Sequence, residues 1–341
     1  MEFRKGRMKK LKKILYIALY LITILIAVGS LLSVFRNTES RYLKLLDFPR
    51  IQFFITSVIS FILFLIFAKK RQWYDYLVAM SLIGGMVVQG SYIINYTPLV
   101  SKTVPSVGEE PLAAEDQISI LLINVKMTNR NAQPALDLIA RKQPDIVIAM
   151  EVDDWWETKL EPIETQYPYT QETTNSVTYG MTIFSKLPLK DVKVNYLNNP
   201  QVPSFESIVE LKNGKKILLY SMHPVPPTHH EGLPDNKGQE EKAMVKLGEK
   251  IEDRNYPIIV AGDFNDVSWG ATNKLTKTED LLYDVRVGRG FYNSYHADNF
   301  LMRWPLDHVF VSKEFKLVEL QRLENIDSDH FPIYVKLALV L

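Results

Sequence analysis

The sequence predicts a layered α/β domain built on mixed β-sheet, set behind an apolar N-terminal third. Three observations carry this reading. Short apolar runs recur through residues 117–341, and several are apolar throughout rather than alternating, the pattern of strands covered on both faces. Segments with helical apolar spacing lie between some of them. Three long uncharged runs fill the first hundred residues.

Taken in order, the first such run is Ile14–Phe35, 22 residues without a charge, and the second is Ile51–Ala68, 18 residues. Both are long enough to cross a hydrocarbon core of about 30 Å as helices. Tyr76–Tyr96 is a third candidate, uncharged but interrupted by Gly84, Gly85, Gln89, Gly90 and Asn95; glycine is tolerated where membrane helices pack closely. The first run exceeds a signal-peptide core and is followed by two more, so an uncleaved anchor is expected. Lys and Arg crowd ahead of span 14–35, recur between the spans, and thin out after the third, where only Lys102 is near. The N-terminus is therefore expected in the cytoplasm and, with spans 14–35, 51–68 and 76–96 all crossing, the remainder outside it. The four basic residues between the first two spans weigh against this orientation, and two crossings instead of three would leave the large domain cytoplasmic, so the third span decides location.

Residues 98–116 hold three prolines, a glycine and four acids and read as a linker. The remaining stretch, 117–341, has the size of one domain with its own core. Its strand candidates are 118–123, 146–150, 181–184, 208–211, 217–220, 258–261, 309–311 and 333–340, and its helical candidates are 133–141 and 239–251. The chain has no cysteine, which excludes disulfides and thiolate metal ligands. Net charge is +7 over residues 1–116 and −6 over 117–341. The acidic balance of the second part argues against a surface that grips long nucleic acid by charge alone.

Polar residues cluster at strand ends. Asn124, Glu151, His223, and the pair Asp263 and Asn265 each follow an apolar run; Asp307 and His330 each precede one. For these ends to share one site, the last two strands must run opposite to the earlier ones, so a mixed sheet follows from the convergence. Glu151, Asp263, Asp307 and Asp329 in one place need relief, since two like charges at about 4 Å repel by roughly 4 kcal/mol at an effective dielectric of 20. A cation, a shared proton or an imidazolium can supply it. Oxygen ligands without thiolates favour a hard ion, Mg²⁺ or Mn²⁺.

The set N-V at 124–125, M-E-V at 150–152, G-M-T-I-F-S-K at 180–186, H-P-V-P-P at 223–227, G-D-F-N-D at 262–266, L-D-H-V-F-V at 306–311 and S-D-H-F-P-I at 328–333 resembles the endonuclease/exonuclease/phosphatase superfamily, in that family's order and across nearly all of 117–341. With the spans in front, the chain looks like its membrane-anchored bacterial members. The resemblance implies a four-layer sandwich of two packed mixed sheets flanked by helices. It also implies Glu151 as principal metal ligand. Asn124 offers a carbonyl to the metal or an amide to phosphate, and Asp329 a second metal contact. The catalytic set expected is His223, Asp263, Asn265, Asp307 and His330. Two groups compete as base: a neutral His330 oriented by Asp307, or Asp263 holding the attacking water. Asn265 is a neutral donor to phosphate or to Asp263, and His223 a donor near phosphate. His308, by strand alternation, faces away from Asp307. Trp155 and Trp156, close after Glu151, and the long loop 224–239 beside His223 are candidates for substrate contact, with core packing equally open to the tryptophans.

The expected function is a membrane-anchored, Mg²⁺-dependent phosphodiesterase or phosphatase with a lipid-linked or small substrate and a lipid bilayer as its other partner. Two rivals are an extracytoplasmic nuclease and a non-catalytic binding module on the same scaffold.

Overall fold

Apolar side chains set the layers of this chain, and its polar residues mark where the layers open. The computed structural model describes residues 2–35, 40–67, 72–108, 112–228, 230–237, 242–267, 269 and 281–340. They fall into two compact units, 1–95 and 96–341.

The first unit is helical: α1 (Glu2–Leu32), a short α2 (Arg41–Lys44), α3 (Arg50–Phe67) and α4 (Trp73–Ile93). Helix α1 begins inside the basic leader and ends three residues before the expected limit at 35. Helix α4 starts at Trp73 on a capping box in which Gln72 and Asp75 exchange backbone bonds. Three segments, Gly6–Leu32, Arg50–Phe67 and Trp73–Tyr96, are long and apolar enough to cross a membrane. Their outward faces are apolar, as at Leu25, Ile66 and Val87, while the polar groups turn inward. Arg50 is fully buried, donating to Gln89 at 3.0 Å and to the Ser33 carbonyl at 3.0 Å, pairing with Asp47, and lying 3.5 Å over the Tyr92 ring. Small residues sit where helices meet: a Cβ on Gly85 would contact Ser57 and Ser30 at 3.3 and 3.4 Å.

The second unit is a sandwich of two six-stranded mixed sheets. One has the order β11-β12-β1-β2-β4-β3, from β1 (Gln117–Asn124), β2 (Ile146–Met150), β3 (Tyr169–Thr173), β4 (Met181–Ser185), β11 (Phe315–Arg322) and β12 (Ile333–Leu339). The other has the order β5-β6-β7-β8-β10-β9, from β5 (Leu189–Asn195), β6 (Ser204–Glu210), β7 (Lys216–Met222), β8 (Ile258–Asp263), β9 (Tyr283–Asp284) and β10 (Asp307–Val311). In the first sheet β1 and β2 are parallel and β12 is antiparallel to β1; in the second β7 and β8 are parallel and β10 is antiparallel to β8. The last strand of each sheet thus runs opposite to its neighbour, as convergence of the polar residues requires.

Alternate residues of the central strands fill the space between the sheets: Ile118, Ile120 and Leu122 of β1 and Ile146, Ile148 and Met150 of β2 meet Leu219, Ile259, Ala261 and Val309. The opposite faces are covered as well. Leu121, Ile123, Val147 and Ala149 pack under α5 (Gln133–Lys142) and α6 (Asp154–Leu160), and Tyr220, Met222, Ile258 and Val260 pack under α7 (Lys242–Ile251). Burial on both faces explains why these strands carry no alternation. The strands missing from the sequence reading, β3, β5, β9 and β11, are edge or near-edge elements with polar faces; β5, for instance, reads L-K-D-V-K-V-N. Trp156 is buried in the core beneath α6, and Trp155 is partly buried beside it. Residues 239–241 of the expected 239–251 helix lie outside the described residues, as does Ala68 at the end of the second expected span.

The segment read as a linker makes contacts of its own. Leu317 of β11 donates to the Pro105 carbonyl at 2.8 Å and accepts from Val107 at 3.0 Å, and Val104 enters the central core.

Candidate active site

Two parallel strand pairs, one per sheet, end at the same rim, and backbone geometry there turns each chain end inward. Asn124 is the last residue of β1, and Glu151 follows β2. Asp263 ends β8 and stands directly opposite Asp307, the first residue of β10. Glu151 and Asn265 both adopt left-handed backbone, with φ of 62° and 52°. For residues with a Cβ this is strained, and such strain concentrates at functional sites. Two glycines permit the approach. A Cβ on Gly262 would stand 1.9 Å from the Met222 carbonyl, and one on Gly180 would stand 1.9 Å from the Val152 carbonyl. The first lets β7 and β8 close beneath His223; the second lets the turn after Glu151 seat against β4.

The side chains form a continuous polar line from one sheet to the other. His330 Nδ1 lies 2.8 Å from Asp307 Oδ2, and its Nε2 lies 3.5 Å from Asp263 Oδ2. Asn124 Nδ2 donates to Asp263 Oδ2 at 3.1 Å and to Glu151 Oε1 at 3.0 Å, while Asn124 Oδ1 accepts from the Lys126 N–H at 2.9 Å. Glu151 Oε2 accepts from the Met127 N–H at 3.0 Å. His223 Nε2 stands 3.7 Å from Asp263 Oδ2; its Nδ1 is buried without a hydrogen-bond partner among the described residues. Asn265 donates its backbone N–H to Asp263 Oδ1 at 2.9 Å and its side-chain amide to the Pro224 carbonyl at 3.0 Å, tying the G-D-F-N turn to the His223 loop. Asp329 is at the edge: it is partly exposed, 3.7 Å from Lys126 Nζ, and outside the tight group.

Seven of the eight residues singled out in the sequence, all but Asp329, are therefore joined by contacts within one site. Four others were not foreseen. Ser294 Oγ accepts the backbone N–H of Asp307 at 3.1 Å; Tyr295 lays its ring 5.0 Å from that of His330; Tyr179 lays its ring 5.0 Å from that of His223; and Lys126 pairs with Asp329. Tyr179 precedes the glycine of G-M-T-I-F-S-K, the one signal that could have found it. His308 turns to the opposite face, with Nε2 at 2.8 Å from the Asp266 carbonyl and Nδ1 against Arg286, which is paired with Asp284 at 3.1 Å.

Electrostatics follow from burial. Burial pushes the Glu151 carboxyl above the ordinary range, against the pull of His223, the Met127 N–H and Asn124. Burial likewise raises Asp307, opposed by His330. Burial alone would lower His330, but Asp263 and then Asp307 outweigh it and push the imidazole up to about 10. The two carboxylates that clasp His330 thus favour its imidazolium form. The nearest donor atoms of Asp263, Asp307 and His330 all lie within 4.8 Å, a spacing that admits a cation only with the imidazole neutral. A second acidic centre, Glu151 with the Asn124 amide, has no imidazole within hydrogen-bonding distance among the described residues; its carboxylate, raised in pKa by burial, fits a hard divalent ion that would offset that cost.

Comparison with known proteins agrees with this architecture. A family model described as Endonuclease/Exonuclease/phosphatase family matches residues 121–330. Two UPF0294 proteins from strains of Vibrio cholerae are each 28% identical over 133 residues, covering 38% of this chain and 43% of the relative. The matched region therefore spans less than half the length of those relatives. Similar solved structures include D. rerio TDP2 complexed with a single strand DNA product (TM-score 0.52, 19% identity, 65% of this chain and 98% of that one). Another is the endonuclease/exonuclease/phosphatase from Bacteroides vulgatus (TM-score 0.52, 15% identity, 65% and 99%). At these identities the structural likeness speaks for the fold. With the family model matched over more than half its residues, the chain belongs to the Endonuclease/Exonuclease/phosphatase family.

Proposed function

We propose that this protein is a membrane-anchored phosphoesterase, dependent on Mg²⁺ or Mn²⁺, that cleaves a lipid-linked or small phosphoester by attack of water. Its family consists of hydrolases acting on phosphoester bonds and using divalent metals. The observation that carries the reading is the unbroken polar line Asp307–His330–Asp263–Asn124–Glu151, with consecutive separations of 2.8, 3.5, 3.1 and 3.0 Å, buried along its length except at Glu151. A structural ion pair has no need of five groups drawn from both sheets.

In this reading Glu151 would hold the ion, joined by the Asn124 carbonyl once the amide turns its oxygen from the Lys126 N–H, with Asp329 at the rim as a further oxygen donor. When bound, the ion neutralises charge on the phosphoryl group and makes phosphorus more electrophilic. Asp263 accepts the proton of the attacking water as the new P–O bond forms and the ester P–O bond breaks, the departing alkoxide taking a proton from solvent; His330, protonated in this reading, does not serve as base. The His330 imidazolium donates to a non-bridging oxygen, where negative charge grows in the transition state. Asp307 keeps that proton on the ring and fixes its orientation. His223 donates from the other side of Asp263, and Asn265 holds the Asp263 carboxylate through its backbone N–H.

The three apolar segments support anchoring in a bilayer, and the basic leader supports a cytoplasmic N-terminus with the second unit outside. The competing reading is a nuclease. Its support is the DNA complex of D. rerio TDP2, a protein of the same fold; the net charge of −6 over residues 117–341 weighs against it.

The test uses the full-length chain in detergent with Mg²⁺ or with chelator, against bis-p-nitrophenyl phosphate, phospholipid, sugar phosphates, plasmid and single-stranded DNA. Turnover of the soluble diester and of lipid, abolished by chelator, is expected. A preference for plasmid or single-stranded DNA would install the nuclease. A folded protein with no metal-dependent turnover of any substrate would leave a binding module.

A further inference from the structure

Beside the site lies a surface feature that the hydrolysis does not use. Seven large apolar side chains are exposed among the described residues of the second unit, and three of them are consecutive: Phe300, Leu301 and Met302, at 76, 64 and 47%. They form the tip of a tied loop. Leu301 N–H is held by Asn299 Oδ1 at 3.1 Å, Met302 N–H by the Asn299 carbonyl at 3.2 Å, and the Met302 carbonyl by His296 N–H at 3.2 Å. The loop base is joined to the site, since Ala297 N–H donates to the Asp329 carbonyl at 2.7 Å and Tyr295 pairs with His330 as a β-bridge.

Two cations meet over Phe331, near the loop base. The Arg303 and Arg322 guanidinium carbons lie 4.9 and 4.5 Å from the centre of the Phe331 ring, the residue after His330. Among the described residues both groups bond only to backbone carbonyls: Arg303 to His296 and Ala297, Arg322 to Asn293. Neither has a carboxylate partner among the described residues. An apolar tip with two arginines near its base, neither paired with a carboxylate among the described residues, is the chemistry of a surface that enters a lipid–water boundary and meets phosphate there. Nucleic acid would be met by stacking faces, and two of the three tip residues, Leu301 and Met302, have no ring to offer.

We propose that the loop tip 300–302 inserts into a phospholipid bilayer, with Arg303 and Arg322 at the headgroup phosphates, and thereby presents a membrane phosphodiester to His330. This rests on the phosphoesterase reading for the substrate, but not for the insertion, and the two are tested apart.

The chain has no cysteine, so Leu301→Cys accepts a single environment-sensitive fluorophore. Tyr196→Cys, exposed on the same unit, serves as control. With the full-length chain in phosphatidylcholine/phosphatidylglycerol proteoliposomes, the label at 301 should shift to the blue and be quenched by spin-labelled lipid, while the label at 196 should do neither. Equal, water-like emission from both overturns the proposal. In the second arm the triple variant F300S/L301S/M302S should hydrolyse vesicle phosphatidylglycerol at least tenfold more slowly and bis-p-nitrophenyl phosphate at the wild-type rate. Hydrolysis of the soluble ester with no loss on lipid leaves the hydrolase standing and refutes the docking role. Quenching at 301 in a protein that hydrolyses nothing supports insertion and refutes the enzyme. Loss of single-stranded DNA cleavage in the triple variant, without quenching at 301, assigns the tip to nucleic acid and overturns the proposal.

Discussion

Replacing Asp307 by Asn tests the electrostatic core of the proposed mechanism. The substitution keeps an oxygen where His330 Nδ1–H donates and removes only the charge. In the wild type the rise of His330 from 6.5 to about 10 corresponds to roughly 5 kcal/mol in favour of the imidazolium, at about 1.4 kcal/mol per unit. Asp263 at 3.5 Å and then Asp307 at 2.8 Å supply it against the opposing effect of burial, with a smaller share from Asp329. With the effect divided between them, loss of one charge should lower the His330 pKa by about two units. The assay is ¹⁵N NMR of histidine-labelled full-length protein in chelator, with His330 assigned by its loss in His330→Gln. Wild-type His330 should remain doubly protonated through pH 8, and in D307N it should titrate near pH 8. Because folding raises this pKa, the proton stabilises the folded chain fully below about pH 6.5 and progressively less toward pH 10. The metal-free wild type should therefore lose stability over that interval more steeply than D307N. Turnover by D307N should fall by about 10²-fold or more at neutral pH. If wild-type His330 titrates near 6.5, or if D307N leaves its titration unchanged, the clasped imidazolium is wrong and His330 returns as a candidate base.

Other expectations follow from the same geometry. Adding Mg²⁺ to the chelated protein should raise its thermal midpoint, by the equivalent of about 2.7 kcal/mol at a hundredfold excess over Kd, and Glu151→Gln should abolish that rise; a Gln variant that still responds would remove Glu151 from the ion. Asn124→Ala should weaken the ion by about 10–100-fold, read by calorimetry, since the amide both orients Glu151 and offers its own oxygen. Gly262→Ala should destabilise the second unit by more than about 3 kcal/mol in denaturant, because its Cβ has no room beside the Met222 carbonyl and its φ is +149°; a stable Ala variant would mean that β7 and β8 can part. Arg286→Met should cost about 3–5 kcal/mol by stranding the buried Asp284, and Asp284→Asn in the same chain should restore part of it.

Much of this protein was legible without coordinates. Three uncharged runs of helical length marked the apolar segments, because hydrocarbon thickness sets a length that composition alone can meet. Unbroken apolar runs ending in Asn124, Glu151, His223 and Asp263 announced both central strands covered on two faces and the rim where a site had to form. The requirement that Asp307 and His330 join them gave the antiparallel sense of β10 and β12 before any register was seen. What the sequence left open lay in edges and loops. Strands such as β5 and β11 have little apolar signal because one side faces water, and α6 was hidden in a stretch too short to show a period.

Only tertiary structure decided how the charges are shared. Spacing along the chain cannot say that Asn124 bridges Glu151 to Asp263, that His330 is held between two carboxylates, or that Asp329 stands apart beside Lys126. Nor could it place Phe300, Leu301 and Met302 beside the site, since nothing in three adjacent apolar residues tells a core from a rim. The physical reason is the same in each case. Hydrophobic patterning is local and is written into every window of sequence, whereas proton affinity and surface exposure depend on groups brought together from both sheets within a few ångströms.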